Sequence, residues 1–160
     1  MSKLATPALD VSMVINAPAA AVFGAFFNHE ALQVWWQVTR SVTTPRLLGP
    51  FAVEWAPDEF GDDVVGRLGG VFRGTIMHID DGRGFFVADA YWLPPDGGAI
   101  GPMALEVSCT AEDLTDGTPA TRVRVTQSGF EEGSLWRRYY ELIQVGWDRA
   151  LRSLKMLLEA

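Results

Sequence analysis

Apolar and polar residues alternate along much of this chain, and the alternation gives way to a helical period briefly after the first strand and at length near the end. Leu9, Val11, Met13 and Ile15 alternate with Asp10, Ser12 and Asn16, the signature of a half-buried strand. Ala17-Pro18 ends that strand, because proline offers no N–H to a ladder. Ala19 to Phe27 then reads as a short helix carrying Val22, Phe23, Phe26 and Phe27. Asn28 breaks it, and Glu30 to Trp36 reads as a second, with Leu32, Trp35 and Trp36 inward. Strands are predicted near Val38–Thr44, over Phe51–Ala56, Val71–Ile79 and Phe85–Trp92, from Leu105 to Glu112 and over Thr121–Gln127. Phe85–Trp92 is apolar on both faces, which places it centrally in a sheet. Ala56–Gly70 and Pro94–Pro102 are rich in Pro, Gly and acids and read as loops. Asp80-Asp81-Gly82 and Asp116-Gly117 are turns.

From Ser134 to Glu159 the period becomes helical. At about 100° per residue, Trp136, Tyr139, Tyr140, Ile143, Trp147, Ala150, Leu151, Leu154, Leu157 and Leu158 share one broad face. Arg137, Glu141, Gln144, Asp148, Arg152, Lys155 and Glu159 share the other. Such a helix runs ~39 Å, so it needs an apolar partner as long as a domain. A run of about six strands joined by short turns supplies one as an antiparallel sheet. The fold class expected is therefore α+β: a curved antiparallel sheet around a long C-terminal helix, with two short helices after the first strand. Residues 1–160 are expected to form one domain.

Composition narrows the function. The net charge of −7 argues against nucleic acid and against an anionic membrane surface as partners. No apolar run approaches the ~20 residues of a membrane span, so no membrane insertion is expected. Met1 to Leu9 lacks a leader pattern, and the expectation is a cytoplasmic protein. The single cysteine, Cys109, excludes an internal disulfide and sits in a strand pattern as a small core residue. His29 and His78 have no metal-ligand spacing, and Gly66–Gly74 lacks the helix and lysine of a nucleotide loop. No metal, cofactor or catalytic set is expected. Asp62-Asp63 and Asp80-Asp81 are explained by turn chemistry, and Glu131-Glu132 by the positive end of the helix they precede.

Four stretches carry a family resemblance: Ile15-Asn16-Ala17-Pro18 leading to Val22-Phe23 and Glu30–Trp36; Gly74–Asp81 with the strand ending Tyr91-Trp92; Thr126-Gln127-Ser128-Gly129-Phe130; and Gly146-Trp147 followed by Leu151, Leu154 and Leu158. In order and spacing the chain resembles the START/birch-pollen-allergen-like superfamily (SRPBCC) and its helix-grip fold. Within it, the chain looks most like the single-domain relatives of the activator of the 90-kDa heat-shock-protein ATPase. The resemblance implies a cavity between sheet and last helix for a small hydrophobic or aromatic ligand. The expected lining is Trp55, Met77, Tyr91, Val125, Gln127, Tyr140, Ile143 and Trp147. Gln127 and Tyr140 are the expected polar groups, with Asp89 less central, and Gln127 stands where the family often has histidine.

Three functions compete. One is a carrier or sensor of an apolar ligand. The second is a cyclase-, aromatase- or hydrolase-like enzyme using the same cavity. The third is a protein-interaction role related to chaperone ATPase activation. Leu135, Leu142, Val145 and Met156 lie off the main apolar face and suggest a possible homodimer.

Overall fold

A computed structural model describes residues 8–160. Residues 1–7, on which most of the leader expectation rests, lie outside the described residues. Strand β1 (Leu9–Ile15) leads to helices α1 (Ala19–Gly24) and α2 (His29–Trp35). Strands β2 (Arg40–Thr43) and β3 (Pro50–Trp55) follow, then a minimal hairpin of β4 (Gly61–Asp62) and β5 (Gly66–Arg67). Strands β6 (Gly70–Asp80), β7 (Gly84–Leu93), β8 (Ile100–Ala111) and β9 (Thr121–Ser128) precede helix α3 (Ser134–Glu159). The main sheet has seven antiparallel strands in the order β1-β9-β8-β7-β6-β3-β2. β7 is its middle strand, as the two-sided apolar pattern of Phe85–Trp92 requires. Together with α1, α2 and α3 it forms the helix-grip fold.

Local chemistry explains the boundaries. Asn28 caps α2, its Oδ1 accepting from the Ala31 N–H at 2.9 Å. Arg122 and Arg124 point outward from β9 and pair with Glu112 and Asp10. Val123, Val125 and Gln127 point inward between them and are buried. At the far end of α3, Lys155 donates to the Val14 carbonyl at 3.2 Å and Glu159 accepts from the Asn16 N–H at 2.8 Å. These contacts fasten the helix end to the end of β1. Leu151 and Leu154 are buried toward this end of the interface.

Two differences from the sequence reading have local causes. The expected loop 56–70 holds the β4–β5 hairpin. Alternation along β7 also slips by one residue: Phe85 and Val87 are buried, but so are Ala90 and Trp92, with Asp89 exposed at φ 53°. Asp89 adopts the left-handed conformation that Asp tolerates better than most side chains. The β7–β8 register shifts between Val87 and Ala90. Of the apolar residues proposed for a dimer, Leu135, Val145 and Met156 are exposed, whereas Leu142 turns inward. No helix among the described residues is long and apolar enough to cross a membrane.

Candidate functional site

The middle of α3, from Tyr139 to Ser153, does not close on the sheet. A cavity of about 320 Å³ remains between that stretch of the helix, the end of α2, β3, the start of β6 and the ends of β7 and β9. Five of the six tryptophans of the chain line it: Trp35, Trp36, Trp55, Trp92 and Trp147. The α2 helix ends at Trp35, whose Nε1 donates to the Ala25 carbonyl at 2.9 Å. Trp36 stacks on it with ring centroids 5.0 Å apart and planes 7° apart. The chain then turns at Gln37, at φ 57°, into Val38. From β3, Trp55 Nε1 donates to the Trp36 carbonyl at 2.9 Å. From β7, Trp92 Nε1 donates to the Gly69 carbonyl at 2.8 Å, and its ring stacks on Tyr139 at 5.3 Å. Trp147 lies over Trp36 at 4.8 Å.

A short polar chain crosses this apolar chamber. Trp147 Nε1 donates to Gln127 Oε1 at 3.1 Å, and Gln127 Nε2 donates to the Tyr139 hydroxyl at 2.9 Å. Gln127 is 2% exposed and Tyr139 4%. Burial pushes the Tyr139 phenol above its ordinary range, against the smaller opposing effect of the Gln127 bond, so the hydroxyl keeps its proton. Exposed Gln37, Gly146 and Arg149 stand at the mouth. No carboxylate, histidine or cysteine lines the cavity among the described residues. Cys109 is buried elsewhere, its thiol pushed up to about 12 by burial, which makes it a poor nucleophile.

The segment before β6 supplies the remaining wall, through Leu68 and Gly69. Asp62 in β4 ties that segment to α3: its Oδ1 accepts from Arg138 Nε and Nη2 at 2.8 and 2.6 Å. Its Oδ2 accepts from the Val64 and Val65 N–H groups. The Arg138 bond first, and the Val64 N–H after it, hold the Asp62 carboxyl at about 2.

The residues expected from sequence divide evenly. Trp55, Gln127, Ile143 and Trp147 are at the cavity. Met77, Tyr91, Val125 and Tyr140 are not. Met77 is opposite buried Ile76 on β6 and is 48% exposed. Tyr91 is on the outer face, over Gly101, because the slip at Asp89 puts Trp92 inside instead. Val125 faces inward but is sealed between Val11 and Val107 in a closed part of the core. Tyr140 turns edge-on to Phe130 at 5.4 Å, leaving Tyr139 as the inward tyrosine. His78 and Asp89 are both exposed. Sequence reasoning missed Trp35, Trp36, Trp92 and Tyr139 as lining residues. The signal was the adjacent Trp35-Trp36 pair at a helix end, read only as core.

Several solved structures share this architecture. A crystal structure from Mesorhizobium loti is 19% identical over 96% of this chain and 97% of that one, with a TM-score of 0.67. A solution structure from Arthrobacter aurescens is 13% identical over 95% and 86%, with a TM-score of 0.70. The solution structure of the Aha1 dimer from Colwellia psychrerythraea is 16% identical over 96% and 97%, with a TM-score of 0.60. At these identities the likeness is one of fold. The family model described as activator of Hsp90 ATPase homolog 1-like protein matches residues 16–159, from the end of β1 through the whole of α3. The chain therefore belongs to the AHSA1 family, within the SRPBCC superfamily.

Proposed function

We propose that this protein binds a small, mostly apolar molecule in the cavity between α3 and the sheet. One observation carries the reading: five tryptophans wall a space of about 320 Å³ and leave it unfilled. That volume is within the usual range of small-molecule pockets, and an apolar wall with a few convergent polar groups is their usual chemistry. Among the described residues no acid–base pair lines the cavity, which favours binding over turnover. The lining also selects by charge. Among the described residues it offers no carboxylate to a cation, and its one charged residue, Arg149, is at the mouth. Fold alone does not choose between a carrier and an activator of another protein.

Native mass spectrometry of freshly purified protein tests the reading. The expected spectrum contains a species heavier than the bare chain that loses its extra mass on denaturation. Titration with tetralin, a small apolar bicycle, should shift the tryptophan emission saturably. An unliganded spectrum together with no saturable response to tetralin would defeat the proposal. A chaperone-activating role instead predicts effects that depend on a partner protein and not on the small molecule.

A further inference from the structure

The polar chain in the cavity has a fixed direction. Trp147 Nε1 can only donate. Gln127 must therefore turn its oxygen toward Trp147, and it does so at 3.1 Å. The amide nitrogen then faces Tyr139 and donates to the hydroxyl oxygen at 2.9 Å, with a longer contact to Met103 Sδ at 3.4 Å. Tyr139 is thereby the acceptor of this bond, and its own proton is left over. The Tyr139 side chain makes no other hydrogen bond among the described residues. It is 4% exposed, it lines the cavity, and burial keeps it protonated. A buried donor without an acceptor is unfavourable, so an acceptor arriving in the cavity gains a bond at little cost of reorganisation.

We propose that the molecule held here is an uncharged, flat-bodied compound carrying one accepting oxygen, a ketone or quinone carbonyl, and that the Tyr139 hydroxyl donates to it. The inference rests on the reading of the cavity as a binding site. The flat body suits the stacked and tilted indole walls. A carboxylate fits poorly, because a buried anion needs more than one neutral donor and Arg149 is at the mouth. A cation finds no counter-charge among the described lining residues.

The test compares tetralin with 1-tetralone, which share one bicyclic frame and differ by a carbonyl. Both are titrated into wild type and Tyr139→Phe. The expected result is that Tyr139→Phe weakens 1-tetralone by about 3- to 10-fold, one neutral hydrogen bond, and leaves tetralin within about twofold. The carbonyl resonance of ¹³C-labelled 1-tetralone should move downfield of its position in cyclohexane on binding wild type, and should return toward it in Tyr139→Phe. Equal effects of the substitution on both probes would overturn the inference while the cavity reading stands. A wild-type carbonyl resonance at its cyclohexane position would do the same, and it decides the matter even if Tyr139→Phe does not fold. Failure of both probes to bind wild type would remove the cavity reading and this inference with it.

Discussion

Two aromatic clusters meet in this molecule, and only one encloses a space. Under α1, the rings of Phe23, Phe26, Phe27 and Phe51 gather round Phe85, with centroids 6.0, 5.6, 4.9 and 5.3 Å from it. Phenylalanine has no polar atom, so each ring shifts until it touches its neighbours, and the cluster is solid. The tryptophan cluster beside it is built otherwise. Trp35, Trp55, Trp92 and Trp147 each give an N–H to a fixed acceptor. A ring tethered at one atom gives up that bond if it slides inward, and a buried donor left unpaired costs ~1–3 kcal/mol. Trp35 belongs to both groups, edge-on to Phe26 at 4.9 Å and stacked on Trp36. The comparison teaches that hydrogen-bonded indoles act as walls, whereas phenylalanines act as filler.

The largest effect should come from the filler. Phe85→Ala removes the ring at the centre of the solid cluster and should cost ~3–5 kcal/mol, as large core truncations do. Trp55→Ala acts on a half-buried ring that already borders open space, so a smaller loss than that of Phe85→Ala is expected. Urea midpoints of the two variants check the order. Equal costs would mean that the indole wall is packed as tightly as the phenylalanine core.

Next comes the polar chain that only the tryptophan side possesses. Gln127 bears directly on stability, because Gln127→Leu leaves the Trp147 N–H without its acceptor. The expected loss is ~1–3 kcal/mol. A double-mutant cycle with Trp147→Phe isolates the bond. Additive costs, within about 0.5 kcal/mol, would show that the two side chains are not coupled.

The same contrast explains what could be read from the sequence. Helix α3 was legible to the residue, because its period holds from Ser134 to Glu159 and Gly129 and Gly133 break the chain ahead of it. The seven strands of the main sheet followed mostly from alternation, and the central place of β7 from its two-sided apolar run. The cavity lining was half legible. Gln127 and Trp147 lie in unbroken periodic segments, so their direction was readable. Tyr91 was misread because the slip at Asp89 reverses the phase of the strand, and nothing in the alternation announces a left-handed aspartate. Tyr139 and Tyr140 are both on the broad apolar face, and the packing of Phe130 against Tyr140 decides between them. Which rings stop short of one another depends on where their N–H groups bind, and that is a matter of tertiary contacts.

Acid should loosen one wall of the cavity without touching the phenylalanine cluster. The Asp62 carboxyl is held at about 2 when folded, below its ordinary 3.8. A depressed pKa stabilises above the unfolded value, and that contribution disappears as pH falls through the folded one. Arg138→Gln should therefore be less stable than wild type by a constant amount from pH 7 to about 5. The gap should shrink below about 4 and vanish near about 2. The Arg138–Glu141 pair at 3.2 Å is more exposed and adds little. Urea midpoints of both proteins across this range give the curve. A gap that persists at the acid end would mean that Arg138 stabilises the helix by packing and not through Asp62.

The smallest effect separates the two regions by sign. Gly146 lies mid-helix at the cavity mouth, and a Cβ there would meet nothing within 4 Å. Glycine in a helix interior costs ~1 kcal/mol relative to alanine, so Gly146→Ala should raise stability by ~0.5–1 kcal/mol. Gly74 faces Phe51 across the ladder, and its Cβ would fall 2.5 Å from Val87 Cγ1 and 2.9 Å from the Ala88 carbonyl. Gly74→Ala should therefore destabilise, because the solid side has no room. Thermal melts of the two variants should move in opposite directions. Gly146→Leu completes the argument. Leucine is a good helix former, so the fold should keep its stability, while a side chain standing at the mouth should slow or block tetralin. A Gly146→Leu variant that binds tetralin as fast and as tightly as wild type would place the entrance elsewhere.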